Sequence, residues 1–109
     1  MGVDELKILE FYNKDGAITA TLRSNYAYFT FEDQLWRLEG AVKLTNAESG
    51  ETLNTEELHW NTREGNVFTE KFVRIETEDQ ILTGVGLTAK QDFSRYVIKN
   101  PQGIFNLDE

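Results

Sequence analysis

Residues able to do chemistry are few in this chain and poorly grouped. There is one histidine, His59, and no cysteine. Zinc and related metals need several converging His, Cys or carboxylate ligands, so no metal site is expected. Without a thiol there is neither disulfide nor thiolate chemistry. His59 alternates with Trp60, which places it on the opposite, wetter face of one strand. Carboxylates do pair in sequence, Glu56 with Glu57 and Glu76 with Glu78. Acid–base catalysis, however, needs one carboxyl with a raised pKa beside an ordinary one in a cleft. In so acidic a chain these pairs are expected to be solvated. The chain holds no Gly-x-Ser-x-Gly elbow, phosphate loop or His-Glu-x-x-His, the motifs that carry nucleophile, phosphate and zinc chemistry. Gly84-Val85-Gly86 is a fragment of a dinucleotide fingerprint with no helix after it. The expectation is a non-enzyme with no catalytic residue and no cofactor.

The 109 residues suit one domain spanning 1–109. A net charge of −8 argues against nucleic acid, whose phosphates call for basic patches, and against simple adsorption on anionic membranes. No apolar run reaches the ~18 residues of a membrane helix, and no secretory signal is recognisable.

The elements that must position these residues read as strands. Residues 7–12 form an opening strand, and 13–16 (Asn-Lys-Asp-Gly) turn the chain. Residues 17–31 hold two strand segments joined by a bulge near Ser24-Asn25. Residues 35–45 alternate cleanly, with Trp36, Leu38, Gly40, Val42 and Leu44 on one face, the pattern of a sheet with one buried side. Thr55-Glu56-Glu57-Leu58 resembles a helix start but aligns with segments that do not, so strand is retained. Gly84 and Gly86 kink an apolar strand, as glycine does at bulges and close backbone approaches. Turns are expected at 32–34, 46–50, 63–66, 78–80, 91–94 and 100–103, with a closing strand at 104–107.

A repeat underlies this layout. Leu22, Leu53 and Leu82 recur at intervals of 31 and 29 residues. Ser24, Thr55 and Gly84 follow as small residues, and Ala27, Leu58 and Leu87 as apolar ones. Trp36, Val67 and Tyr96 keep the same spacing. Such a period signals stacked supersecondary units, here an all-β sandwich, roll or barrel. The inner surface gathers Leu22, Phe29, Trp36, Leu38, Val42, Leu44, Leu53, Leu58, Trp60, Val67, Val73, Ile75, Leu82, Leu87 and Tyr96. Most must be core. If the sheets splay along one side, Phe29, Trp36, Leu38, Val42, Leu44, Trp60, Val73, Ile75 and Tyr96 line an apolar trough. Ten half-buried methylenes would contribute roughly 4 kcal/mol gross at about 0.8 kcal/mol each when fully buried, a scale suited to a carrier that releases its cargo.

Three segments resemble the periplasmic domain of the LptC family, within the LptC/LptA/OstA-like lipopolysaccharide-export group. They are Phe11-Tyr12-Asn13-Lys14-Asp15-Gly16 followed by Leu22-Arg23-Ser24-Asn25-Tyr26-Ala27-Tyr28; Leu53-Asn54-Thr55-Glu56-Glu57-Leu58-His59-Trp60 followed by Val73-Arg74-Ile75; and Leu82-Thr83-Gly84-Val85-Gly86-Leu87-Thr88-Ala89 with Asn100 and Gly103 beyond. The resemblance implies a twisted, boat-like β-jellyroll of two antiparallel sheets forming a V, with lipopolysaccharide acyl chains held between them. It implies a periplasmic bridge for outer-membrane assembly, from an inner-membrane ABC transporter to an LptA-like protein. Unpaired edge strands invite strand addition. The edge residues are Ile8, Glu10 and Tyr12 at one end and Ile98, Ile104 and Phe105 at the other. The family's N-terminal membrane helix has no counterpart here, and the expectation is that it was removed from a longer, inner-membrane-anchored protein. A soluble LptA-like member, or a structural adaptor that binds no lipid, is the alternative.

Overall fold

The computed structural model describes residues 2–3 and 7–106, with side chains from residue 9 onward. Nine strands follow in order: β1 (Gly2–Val3), β2 (Lys7–Tyr12), β3 (Ile18–Ser24), β4 (Tyr26–Thr30), β5 (Leu35–Asn46), β6 (Thr52–Asn61), β7 (Asn66–Glu76), β8 (Gln80–Lys90) and β9 (Tyr96–Asn106). The described residues form no helix. The all-β, antiparallel architecture is therefore as expected, and the segment at Thr55–Leu58 is indeed strand.

Hydrogen bonding makes one open sheet where two were expected. β5 to β9 pair as successive antiparallel neighbours. β5 is long enough to take two partners end to end on its other side, β4 along 35–39 and β3 along 43–46. β1 then pairs β4, and β2 pairs β3. The break at Asn25 that separates β3 from β4 has counterparts across the sheet. Pairing shifts between Glu39 and Val42, between Thr55 and His59, between Thr69 and Phe72, and between Thr83 and Gly84. The two halves of the sheet are thus divided by a line of bulges rather than by a break in pairing.

Bulges bend strands, and here the bend is large. Phe11 lies level with Asn46 through Ala20, whereas Trp60 lies level with Trp36. Ten residues of extended β5 would separate those levels by about 33 Å. Yet the Phe11 and Trp60 rings meet edge to face at 5.2 Å. Asn46 Nδ2 likewise donates to the Asp92 carbonyl at 2.7 Å, joining the β5–β6 turn to the β8–β9 turn at the opposite end. The two ends of the ladder fold toward each other over one face, and that face holds the core.

The sequence repeat maps onto this bend. Its small position is buried at Ser24 and Thr55, where hydroxyls serve backbone released by the bulges. Ser24 Oγ donates to the Tyr26 carbonyl at 2.9 Å, and Thr55 Oγ1 to the Phe72 carbonyl at 2.8 Å. Buried backbone groups need such partners. At the third copy the small residue is Gly84. A Cβ there would collide with Ile98 Cγ2 and lie 2.7 Å from the Asn100 carbonyl, so β9 crosses too close for any side chain. Gly86 adopts φ +87°, a left-handed conformation that glycine accepts without steric cost.

Two local expectations are corrected. Residues 100–103 are not a turn: β9 runs unbroken through Pro101. Gly84 pairs with Pro101 and Thr83 with Gly103, leaving Gln102 as the extra residue. Proline lacks the N–H of a central strand but fits an edge strand or a bulge, and β9 pairs only with β8 among the described residues. The closing strand ends at Asn106, and Leu107 lies outside the described residues. The β5 alternation also hides a bulge, where Gly40 and Ala41 both take positive φ.

Candidate functional site

Two cross-strand rows organise the inner face. The first is aliphatic: Leu9, Leu22, Leu44, Leu53, Ile75, Leu82 and Ile104 are successive partners from β2 to β9. Its central members, Leu22, Leu44, Leu53 and Ile75, are fully buried. The second row is Phe29, Trp36, Trp60, Val67, Ala89 and Tyr96. Here Val67 and Ala89 are buried, while the four aromatic rings are half-buried.

The aromatics form a connected layer. Phe29 packs on Trp36 with centroids 5.1 Å apart, Trp36 stacks with Trp60 at 6.4 Å, and Phe11 meets the other side of this group. Phe31, 82% exposed, extends the layer into solvent against Phe29. Trp60 Nε1 donates to Gln91 Oε1 at 3.0 Å, the partner an indole N–H needs when partly buried. Phe93, expected only as a turn residue, is instead fully buried at φ +59° and stacks on Tyr96 at 4.6 Å. Its apolar type within a polar turn was the one signal available. Burial raises the Tyr96 pKa, with Glu51 adding to the effect.

The nine residues expected to line a trough therefore divide. Phe29, Trp36, Trp60 and Tyr96 lie together in the half-buried layer. Leu38, Val42, Leu44, Val73 and Ile75 lie in the closed core beneath the fold, with at most 1% of their surface exposed. Of the expected edge residues, Ile8, Glu10 and Tyr12 fall on β2, which pairs only β3 among the described residues. Tyr12 is exposed, and its hydroxyl donates to Glu10 at 2.6 Å, which raises its pKa. Ile98, Ile104 and Phe105 fall on β9. Ile104 and Phe105 are exposed, together with Val97, whereas Ile98 packs partly against the core.

His59 lies on the outer face, as its alternation with Trp60 implies, with its Nε2 3.0 Å from the Glu57 carboxylate and its ring stacked on Phe68. Among the described residues no group of three His, Cys, Asp or Glu could hold a metal. No helix of the described residues is long and apolar enough to cross a membrane.

The described residues thus form one open, bent antiparallel sheet with a half-buried aromatic layer on its inner face and β2 and β9 at its edges. Residues 7–101 match the family model described as lipopolysaccharide-assembly, LptC-related. That match covers most of the chain, which belongs to the LptC-related family; its role lies in lipopolysaccharide transport. No curated protein matches the sequence.

Proposed function

We propose that this chain is a non-enzymatic carrier that holds lipopolysaccharide by its acyl chains in the periplasm. The two halves of the bent sheet act as the walls of a V-shaped jellyroll. Acyl chains enter over Phe29, Trp36, Trp60 and Tyr96, and Leu38, Val42, Leu44, Val73 and Ile75 form the floor reached when the walls part. The half-buried aromatic layer carries this reading. Large rings left partly wet at the margin of a core form an apolar surface with something still to bury. The edges β2 and β9 then add strands of neighbours, an LptA-like protein on one side and the inner-membrane ABC transporter on the other, with the chain anchored to that membrane in the full-length protein. Strand addition satisfies the unpaired N–H and C=O groups that such edges present.

Tryptophan fluorescence tests this directly, because Trp36 and Trp60 both lie in the layer. Titration with lipopolysaccharide below its aggregation threshold is expected to give a saturable shift, competed by a second acylated lipid and weakened in Phe29→Arg. A flat titration of folded protein would overturn the carrier reading. The complete burial of Leu38, Val42, Leu44, Val73 and Ile75 favours the second reading, an adaptor with a closed core that works by strand addition alone. It predicts association with an LptA-like partner and no lipid response.

A further inference from the structure

The outer face carries a charge arrangement that the acyl reading leaves unused. Arg23, Lys43, Asn54 and Arg74 are successive cross-strand partners on β3, β5, β6 and β7. Each follows or precedes a buried member of the aliphatic row, so the four project from the opposite side of the sheet. They line a cleft of about 660 Å³ at the line of bulges, together with Lys71, Phe72 and Glu56. This volume falls within the usual range for small-molecule sites, about 300–1,000 Å³.

The charge balance of the cleft is opposite to that of the chain. A protein of net charge −8 with 11 basic residues places four of them here against one lining carboxylate. Arg74 is paired with Glu76 at 2.8 Å. Arg23, Lys43 and Lys71 form no salt bridge among the described residues. Arg23 and Lys43 are direct cross-strand partners, and like charges so placed destabilise a strand pair. A bound anion would turn that repulsion into attraction. Neighbouring strands stand about 4.8 Å apart, so cations on adjacent strands can grip one phosphate from both sides. Guanidinium and ammonium groups bind phosphate through charge-assisted hydrogen bonds. Beside them Phe72, 52% exposed, and the Asn54 amide offer an apolar face and hydrogen bonds suited to a sugar ring.

We infer that this outer-face cleft is a second binding site, which takes a phosphorylated saccharide such as the headgroup of the transported glycolipid. It opens on the face opposite the aromatic acyl layer, reaches Val42 of that layer's floor from the other side at the line of bulges, and rests on the proposed function only for the source of its ligand. Phosphates of the cargo then meet cations despite the acidity of the whole chain.

Calorimetry with fully deacylated lipopolysaccharide tests the cleft without engaging the acyl layer. Saturable binding is expected, weakening as salt rises and by about tenfold or more in Lys43→Glu. Lys43→Ala, which adds no new charge, is expected to weaken it less but measurably. Circular dichroism verifies that each variant is folded. Tryptophan fluorescence with a simple fatty acid, which has acyl carbon but no phosphosaccharide headgroup, should respond in both variants as in the parent protein. No binding of the deacylated ligand, or equal binding by parent and both folded variants, would overturn the inference. So would inorganic phosphate binding as tightly as the saccharide, since the cleft would then read a free anion. Loss of the tryptophan response with the calorimetric signal intact would count against the acyl reading and leave the cleft supported.

Discussion

The aliphatic row and the aromatic row lie on the same face of the sheet and share β5 to β9, yet the first is sealed at its centre and the second is half open. In the aliphatic row, branched side chains of similar size meet across every strand pair, and the fold of the sheet closes over them. In the aromatic row, half-buried rings flank the smaller, buried Val67 and Ala89. The contrast separates the part of the face that holds the protein together from the part with surface left for a ligand.

Removing a central leucine should have the largest effect. Leu44→Ala or Leu53→Ala leaves a cavity where the parent side chain is fully buried, with an expected loss of about 2–5 kcal/mol, read by urea denaturation. Gly84→Val comes next. The new side chain meets β9 backbone as well as Ile98, and overpacking of this kind costs about 1–3 kcal/mol. The signature that distinguishes it from a simple core defect is a rise in hydrogen exchange over the parent that is larger along β9 than along β7.

Changes in the aromatic row should cost less stability and more binding. Trp60→Phe removes the hydrogen bond to Gln91, a loss of about 1 kcal/mol, and shrinks the ring layer. Lipid affinity is expected to fall, while the denaturation midpoint moves clearly less than in Leu44→Ala. A variant that lost as much stability as Leu44→Ala would place Trp60 in the core and dissolve the contrast between the rows.

The smallest effect is in alkaline solution. Desolvation, reinforced by Glu51, holds the Tyr96 pKa above its ordinary value of 10.0 in the folded chain. Its contribution is therefore fully present below pH 10 and is lost as pH rises from there through the folded-state pKa. Tyr96→Phe should flatten this alkaline decline, and absorbance titration should lose one late-ionising tyrosine. Tyr12, raised by its exposed contact with Glu10, also titrates late and should persist in that variant.

Much of this was legible along the chain. Period-two alternation in residues 35–45 gives the strand and its buried face, because successive side chains point to opposite sides. The 30-residue recurrence of Leu22, Leu53 and Leu82 is visible because each copy supplies a residue to one cross-strand row. The spacing that follows it, small then apolar, records a mid-strand bulge as a shift in alternation. His59 and Trp60 fall on opposite faces for the same local reason.

What the tertiary structure alone decided depends on contacts between residues far apart in the chain. Pro101 and Gly103 carry a turn signature, yet they sit in an edge strand because the missing proline N–H has no partner to disappoint there. Phe93 belongs to the core only because the β8–β9 turn meets Asn46 from the far end of the sheet. Local pattern determined which residues face inward, since alternation is a property of neighbours. Which of those are sealed and which stay half open was set by how far the bent sheet closes, and that is a property of the whole ladder.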